Sequence, residues 1–155
     1  MLVYRVTSRI EIDKIIEHKS FKKIGSTNFD GYCNSHNYKK NTYYMHFFLS
    51  KEDIFYLNNF MKRFICTYDI PDYLIKTYLG IGKYISKYSD KMQENINECA
   101  IPSKLIKLSY LESIEVLPLK YEYTDYLLNN SYNTTLIYSK SHENILKKWY
   151  LTLTT

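Results

Sequence analysis

The stretch Asn97-Glu98-Cys99-Ala100-Ile101-Pro102-Ser103-Lys104-Leu105-Ile106 places one carboxylate in an otherwise apolar strand that ends at a proline. A carboxylate within a buried strand is costly unless it is paired, lines a cleft or takes part in chemistry. Glu98 is therefore the leading candidate for a catalytic residue. The structural alternative is a solvated glutamate on an edge strand, which is a common arrangement.

β-branched and aromatic residues predict further strands on both sides of this one. These strands lie at residues 2–7, 43–49, 64–68 and 111–117, and the clean alternation of the last one predicts an outer strand of the sheet. In the first of them, alternation places Val3, Arg5 and Thr7 on one face of the sheet and Leu2, Tyr4 and Val6 on the other. Arg5 therefore interrupts an apolar strand in the same way as Glu98.

Short amphipathic stretches predict helices between these strands. The first begins at Ser8, where Glu11 completes a capping box, and the second begins after Ser50. A third is expected to run to Tyr78 and to end where Gly80 adopts the left-handed conformation, and Gly80 and Gly82 are expected to form a turn. Helices this few and short, with strands clustered in the second half of the chain, indicate an α+β fold.

The composition is that of an ordinary globular protein, with 155 residues, 45% hydrophobic and 24% charged. No apolar run approaches the length of a membrane span, and the first residues lack the pattern of a secretory signal. The three cysteines, Cys33, Cys66 and Cys99, have no CxxC spacing. We therefore expect reduced thiols, a cytoplasmic location, no metal site and no contact with membranes.

The formal net charge of +5 comes almost entirely from lysines, and the chain contains 18 tyrosines. A basic, aromatic protein is suited to contact with nucleic acid or another acidic partner. An AT-rich genome would produce the same excess of lysine and tyrosine without any such function. Residues 20–43 have no periodic pattern and are predicted to be a loop that serves either as a lid or partner surface or as a plain insertion.

Four motifs occur in a particular order along the chain. They are Tyr4-Arg5 before the helix at Ser8, His46-Phe47-Phe48-Leu49-Ser50 before the second helix, Asp69-Ile70-Pro71 with Gly80-Ile81-Gly82-Lys83-Tyr84, and Glu98-Cys99-Ala100-Ile101-Pro102. This order resembles that of the ADP-ribosyltransferase superfamily over residues 2–117. The resemblance implies split antiparallel β-sheets with a few short flanking helices. The length of the chain fits a single domain, 1–155, with the transferase-like core at 2–117 and an extension at 118–155. The residue pattern of that extension predicts a helix at 121–128 and an amphipathic closing helix at 141–151.

The resemblance also implies NAD as a co-substrate and gives roles to the charged residues of the two interrupted strands. Arg5 would hold NAD through a phosphate or a ribose. Glu98 would bind the ribose 2′-hydroxyl and stabilise the charge that develops as nicotinamide leaves. Arg5 and Glu98 are therefore expected to converge on one cleft.

The remaining residues of the implied NAD site are Tyr4, His46, Ser50 and Tyr84. Ser50 would line the nicotinamide ribose, and Tyr84 would stack on the nicotinamide. Superfamily members that modify arginine commonly carry Gln or Glu two residues before the catalytic glutamate, where this chain has Ile96. The acceptor of the ADP-ribose is therefore left open.

The predicted function is an NAD-dependent mono-ADP-ribosyltransferase that acts like a toxin or effector on a protein or nucleic acid. A neutralising protein partner is compatible with this prediction. The alternative is a non-catalytic, basic, tyrosine-rich binding or inhibitor protein that contacts nucleic acid or a protein. In that alternative Glu98 is a structural residue of the strand.

Overall fold

The computed structural model describes residues 1–27, 38–56, 64–85, 93–117 and 134–141. Within these ranges seven strands form one antiparallel sheet in the order β4-β5-β2-β1-β3-β6-β7. The strands are β1 (Leu2–Thr7), β2 (Tyr44–Phe48), β3 (Phe64–Asp69), β4 (Leu79–Ile85), β5 (Gln93–Pro102), β6 (Leu111–Val116) and β7 (Thr135–Ser139). The helices are α1 (Arg9–His18) and α2 (Asp72–Thr77), and short 3₁₀ turns follow β2 and β5. The predicted α+β class is confirmed.

One face of the sheet, the helix face, is covered by α1 and α2. Arg5 on β1 lies directly opposite Cys66 on β3, so these two side chains belong to the same face. Ile12 and Ile15 of α1 are buried in one apolar cluster with Cys66. The other members of that cluster on the strands include Val3, Met45, Phe47, Tyr68, Cys99 and Ile101.

The opposite face, the glutamate face, carries a row of residues from four neighbouring strands. Tyr4 on β1 is opposite Phe48 on β2, Phe48 is opposite Glu98 on β5, and Glu98 is opposite Gly80 on β4. Because residues directly opposite one another in an antiparallel pair point to the same side, the side chains of this row share one face. His46 lies on the same face, since it is two residues from Phe48.

The sheet has a seam between β1 and β2. These two strands share one pair in register, Tyr4 with Phe48, whereas β1 and β3 are paired along their whole length from Leu2 to Thr7. Beyond that one pair, the carbonyl oxygen of His46 accepts a hydrogen bond from Arg5 Nη1 at 3.1 Å. A side chain thus satisfies a backbone group of β2 at the seam. The seam divides the sheet into β4-β5-β2 and β1-β3-β6-β7.

Three local predictions were wrong. Gly80 does not end a helix, because α2 stops at Thr77 and the chain continues directly into β4. Ser8 precedes α1 but makes no side-chain capping bond, and Glu11 bonds Arg5 instead of completing a capping box. The 111–117 strand is not at the edge, because β7, a strand the sequence did not predict, pairs with it. The helices predicted at 121–128 and over most of 141–151 lie outside the described residues.

Candidate functional site

The centre of the glutamate face is a hydrogen-bonded pair formed by Glu98 and His46. Nε2 of the imidazole contacts Oε2 of the carboxylate. Glu98 is 3% exposed and His46 is 16% exposed, so the carboxylate is buried and the ring is partly accessible to solvent. The ring is fixed from a second side by Phe48, which it meets edge to face at a centroid distance of 4.6 Å. This pairing offsets the cost of burying the carboxylate and orients it.

Strand β4 contributes no side chain at the two positions closest to Glu98. Gly80 lies directly opposite Glu98, and Gly82 lies opposite Ile96, the next residue of β5 on that face. Alternation along β4 places both glycines on the glutamate face, so no β4 side chain stands beside the carboxylate at these two positions. Glycine at alternate positions of a strand permits close approach of a ligand or of another backbone.

Tyrosines border the site at the end of β2. The Tyr38 ring packs on Tyr44 at 4.7 Å between centroids, and its hydroxyl donates a hydrogen bond to the Tyr78 carbonyl at 3.3 Å. Burial raises the pKa of the Tyr38 phenol, and the negative charges of neighbouring groups, Glu98 among them, contribute in the same direction. Tyr38 is therefore a neutral hydroxyl at neutral pH, within electrostatic reach of the carboxylate.

Tyr4 is the β1 member of this face. It stands two strands away from Glu98, a separation of about 10 Å at the usual spacing between neighbouring strands. Its side chain is half-buried, and Phe48 lies between it and the carboxylate. The structure thus brings Tyr4, His46 and Glu98 onto one face, as three of the residues predicted for the site.

Arg5 does not join them. It points to the helix face, where Nε and Nη2 donate to the two oxygens of Glu11 at 2.9 and 2.5 Å. Both side chains are nearly buried, at 12% and 11% exposed. Burial alone would lower the pKa of the guanidinium, but the charge of Glu11 and its hydrogen bonds outweigh this effect and raise the pKa. The predicted convergence of Arg5 and Glu98 on one cleft is therefore wrong. Tyr4, the neighbour of Arg5 on β1, shares the face of Glu98, and alternation along the strand turns Arg5 to the opposite face.

Ser50 and Tyr84 are less closely tied to the site. Ser50 is exposed beyond the end of β2, where its carbonyl accepts a hydrogen bond from the Asp53 amide at the start of the 3₁₀ turn Lys51–Tyr56. Tyr84 lies in β4 opposite Glu94, and its side chain is outside the described part of the structure. The roles given to these two residues stay predictions.

Cys66 and Cys99 are free thiols buried within the helix face. Burial raises the pKa of both, to about 12 for Cys99. A thiol with so high a pKa is a poor nucleophile at neutral pH, so neither residue is suited to covalent catalysis. Cys33 lies outside the described residues.

The described ranges contain no group of three or more His, Cys, Asp or Glu side chains arranged to hold a metal ion. In the same part of the chain, no helix has both the length and the apolar character needed to cross a membrane. Neither protein-family models nor curated proteins nor solved structures match this chain. The case for a function therefore depends on the residues of the glutamate face.

Sequence reasoning missed Tyr38 and misread Gly80. Tyr38 lies in the stretch without periodicity, and nothing in the sequence indicates that it folds back onto Tyr44 and Tyr78. Gly80 and Gly82 carried a usable signal, since glycines separated by one residue within a run of apolar and aromatic residues also fit one face of a strand.

Proposed function

We propose that this protein is an NAD-dependent ADP-ribosyltransferase that transfers ADP-ribose to a macromolecular acceptor and uses Glu98 as its catalytic carboxylate. The observation that carries the proposal is the hydrogen-bonded pair of a buried glutamate and a partly exposed histidine beside a strand flank without side chains. A buried, paired carboxylate stabilises a fold no more than a well-packed apolar side chain would. Its presence in β5 therefore favours a chemical role.

The chemistry requires a fixed negative charge beside a ribose. Transfer breaks the bond between the ribose C1′ and the nicotinamide nitrogen, whose electron pair leaves with neutral nicotinamide, and positive charge develops on the ribose. A preorganised carboxylate stabilises such charge, and one group of this kind contributes roughly 3 kcal/mol to lowering the barrier. His46 holds the carboxylate of Glu98 in place through Nε2. As the acceptor attacks C1′, its proton passes to the Glu98–His46 pair.

The glycine flank of β4 supports the same proposal. Gly80 is buried and Gly82 is half-buried, and neither places a side chain between the backbone of β4 and a ligand beside Glu98. A flat ring or a ribose can lie closer to a glycine backbone than to any strand position that carries a side chain. Tyr38 supplies a neutral hydroxyl on this side of the site, and because its proton is donated to the Tyr78 carbonyl, its oxygen can act only as an acceptor towards a ligand.

The seam between β1 and β2 supports the transferase resemblance at the level of the fold. The resemblance implies split antiparallel sheets, and the single pair Tyr4–Phe48 leaves two groups of strands joined at one point. Glu98 and His46 belong to the β4-β5-β2 group, and Tyr4 belongs to the other. A site that lies along such a seam receives residues from both groups.

The proposal differs from the sequence prediction in its treatment of Arg5. Its guanidinium makes a two-pronged bond to Glu11 and one bond to the His46 carbonyl, and these partners lie on the helix face and at the seam. We therefore assign Arg5 to the support of β2 and not to NAD. Tyr4, which shares the face of Glu98, is the β1 residue proposed to face the dinucleotide.

The test is nicotinamide release from NAD, with Glu98→Gln compared with Glu112→Gln as a matched control. Glu112 lies on β6 and bonds the exposed Lys140, and its substitution changes the net charge equally. Wild type and Glu112→Gln are expected to release nicotinamide in the presence of a cell lysate, and Glu98→Gln is expected to lose at least about a hundredfold in rate. Glutamine can still accept the His46 hydrogen bond, so melting curves should show that Glu98→Gln is folded. Release that survives Glu98→Gln, or no release by wild type, would contradict the proposal.

A further inference from the structure

Six exposed lysines lie together at one end of the sheet, and we call this surface the basic end. They occur in the turn after α1, in the segment before β2 and in the turn after β5. Its members are Lys22, Lys23, Lys39, Lys40, Lys104 and Lys107. The described segments that carry them, 21–27, 38–44 and 103–107, contain no Asp or Glu.

Backbone hydrogen bonds join the three segments of the basic end. Ser26 and Tyr44 exchange two backbone bonds, of 2.9 and 2.8 Å, which ties the first segment to the second. The Ser103 amide donates to the Tyr43 carbonyl at 2.9 Å, which ties the second to the third. The segments that carry the lysines therefore adjoin one another although they come from distant parts of the sequence. An acid-free group of lysines attracts polyanions by long-range electrostatics.

The basic end leads to Glu98. Pro102, which opens the turn with Lys104, is four residues from Glu98 along β5, or about 13 Å at the usual rise of a strand. On the opposite side, Lys39 directly follows Tyr38, which borders the carboxylate. The backbone amide of Lys39 also donates to the Tyr44 hydroxyl at 2.8 Å, which fixes this lysine relative to the tyrosines. A strand of a few nucleotides spans the distance from the lysines to the carboxylate.

Tyr43 adds an aromatic surface to the basic end. It is 37% exposed and adjoins Ser103 through the backbone bond between the two segments. Exposed tyrosines beside lysines are the combination that binds single-stranded nucleic acid, because bases stack on the rings while the cations contact phosphates. Single strands also present their bases without the cost of opening a duplex.

We infer that the acceptor of the proposed transferase is single-stranded nucleic acid, which docks on the basic end and extends towards Glu98. The transfer of ADP-ribose to the nucleic acid rests on the proposed function, whereas the binding of the nucleic acid to the basic end does not. In the reaction, C1′ of the ADP-ribose loses its bond to nicotinamide and gains one to an oxygen or nitrogen of the nucleic acid. The proton of that atom passes to the Glu98–His46 pair. Nicotinamide leaves with the electron pair of the broken bond, so no oxidant or reductant is needed.

The binding test measures fluorescence anisotropy of a labelled 12-nucleotide DNA and of the RNA of the same sequence, without NAD. The variant Lys39→Glu/Lys40→Glu is compared with Lys14→Glu/Lys76→Glu, whose lysines are exposed on α1 and α2. Each double variant lowers the formal net charge of +5 by four, so overall charge is matched. The basic-end variant should bind about tenfold more weakly at low salt, and its log–log salt slope should fall by about 1.4, whereas the control should change far less.

A second comparison tests the aromatic surface. Tyr43→Ala should weaken binding of the oligonucleotide about tenfold, whereas Tyr73→Ala should leave it unchanged. Tyr73 is the matched control because it is 66% exposed on α2, away from the basic end. Tyr73 is largely exposed, whereas Tyr43 is only 37% exposed, so melting curves of both variants should accompany the binding measurement to show that they are folded.

Three results would overturn the inference. Equal weakening by the two lysine variants would show that only net charge matters. Tighter binding to phosphatidylserine vesicles than to the oligonucleotides would identify the basic end as a membrane surface. Unchanged oligonucleotide affinity with weakened NAD binding would assign the lysines to the dinucleotide. Failure of the proposed function gives a different result. The oligonucleotide would then bind in a way that depends on the basic end, but NAD would not be cleaved.

Discussion

Replacing Arg5 with methionine separates a structural role of this residue from a role in binding NAD. Methionine keeps much of the length of the side chain but removes the charge and all hydrogen bonds to Glu11 and to the His46 carbonyl. Glu11 is 11% exposed and would retain a carboxylate without the guanidinium that neutralises it. Breaking a buried ion pair in this way costs about 3–5 kcal/mol. For a protein of this size the melting temperature should fall by about 6–20 °C.

The assay is urea unfolding followed by circular dichroism, with two comparison variants. Arg9→Met removes the exposed partner of Asp13 on the surface of α1, where the ion pair contributes at most about 1 kcal/mol. The double variant Arg5→Met/Glu11→Leu removes both buried charges and should recover part of the lost stability, which a double-mutant cycle would measure.

The opposite result would refute the structural assignment. If Arg5→Met unfolds at nearly the wild-type urea concentration and loses affinity for NAD, the guanidinium binds the dinucleotide in solution. The geometry in which it bonds Glu11 and β2 would then be only one of its positions. If Arg5→Met is destabilised as much as expected, its NAD affinity at a temperature where it is folded should stay within a few-fold of wild type.

Two further predictions concern backbone strain and a buried thiol. Gly25→Ala should lower the melting temperature, because Gly25 has a φ of +106° and an added Cβ would lie 2.1 Å from the Tyr44 carbonyl oxygen. Thr27→Ala, at an exposed position of the same segment, should not, and equal melting temperatures would contradict this close approach. The stability provided by the buried Cys99 thiol should be fully present below its ordinary pKa of 9.0 and be lost as the pH rises towards about 12, since the unfolded chain releases the proton first. The free energy of unfolding, measured with urea between pH 8 and 10.5, should therefore fall less steeply with pH in Cys99→Ala than in wild type. Identical slopes would show that this thiol is not buried as described.

Strand positions could be predicted from the sequence because hydrophobic alternation is a local signal. The pattern at 2–7 gave β1 and assigned its residues to the correct faces, and the pattern at 64–68 gave all but the last residue of β3. Glu98 was recognisable for the same reason, since a single carboxylate within an apolar strand stands out against its neighbours.

The hydrogen-bond and strand-pairing partners of individual residues could not be predicted, because they depend on contacts between distant segments. Nothing near Glu11 in the sequence indicates that its carboxylate bonds Arg5 and not the first amides of α1. A capping bond satisfies one exposed amide, whereas the bond to Arg5 neutralises a buried guanidinium, and the larger electrostatic term decides the geometry. In the same way, the alternating glycines are compatible with a strand, but the pairing of Gly80 with Glu98 could not be predicted from the sequence.

His46 connects Arg5 and Glu98, the two charged residues that were expected to share one cleft. Its carbonyl accepts a bond from Arg5 on the side of the helix face, while its ring holds Glu98 on the glutamate face. The ion pair with Glu11 fixes the guanidinium of Arg5, and the guanidinium in turn fixes the carbonyl of His46 at the seam. The position of the His46 backbone determines where its imidazole meets Glu98. Arg5 and Glu98 are therefore coupled through one residue without sharing a ligand. A loss of activity in an Arg5 variant that remains folded would be expected to reach Glu98 along this path, as a lower rate at unchanged NAD affinity.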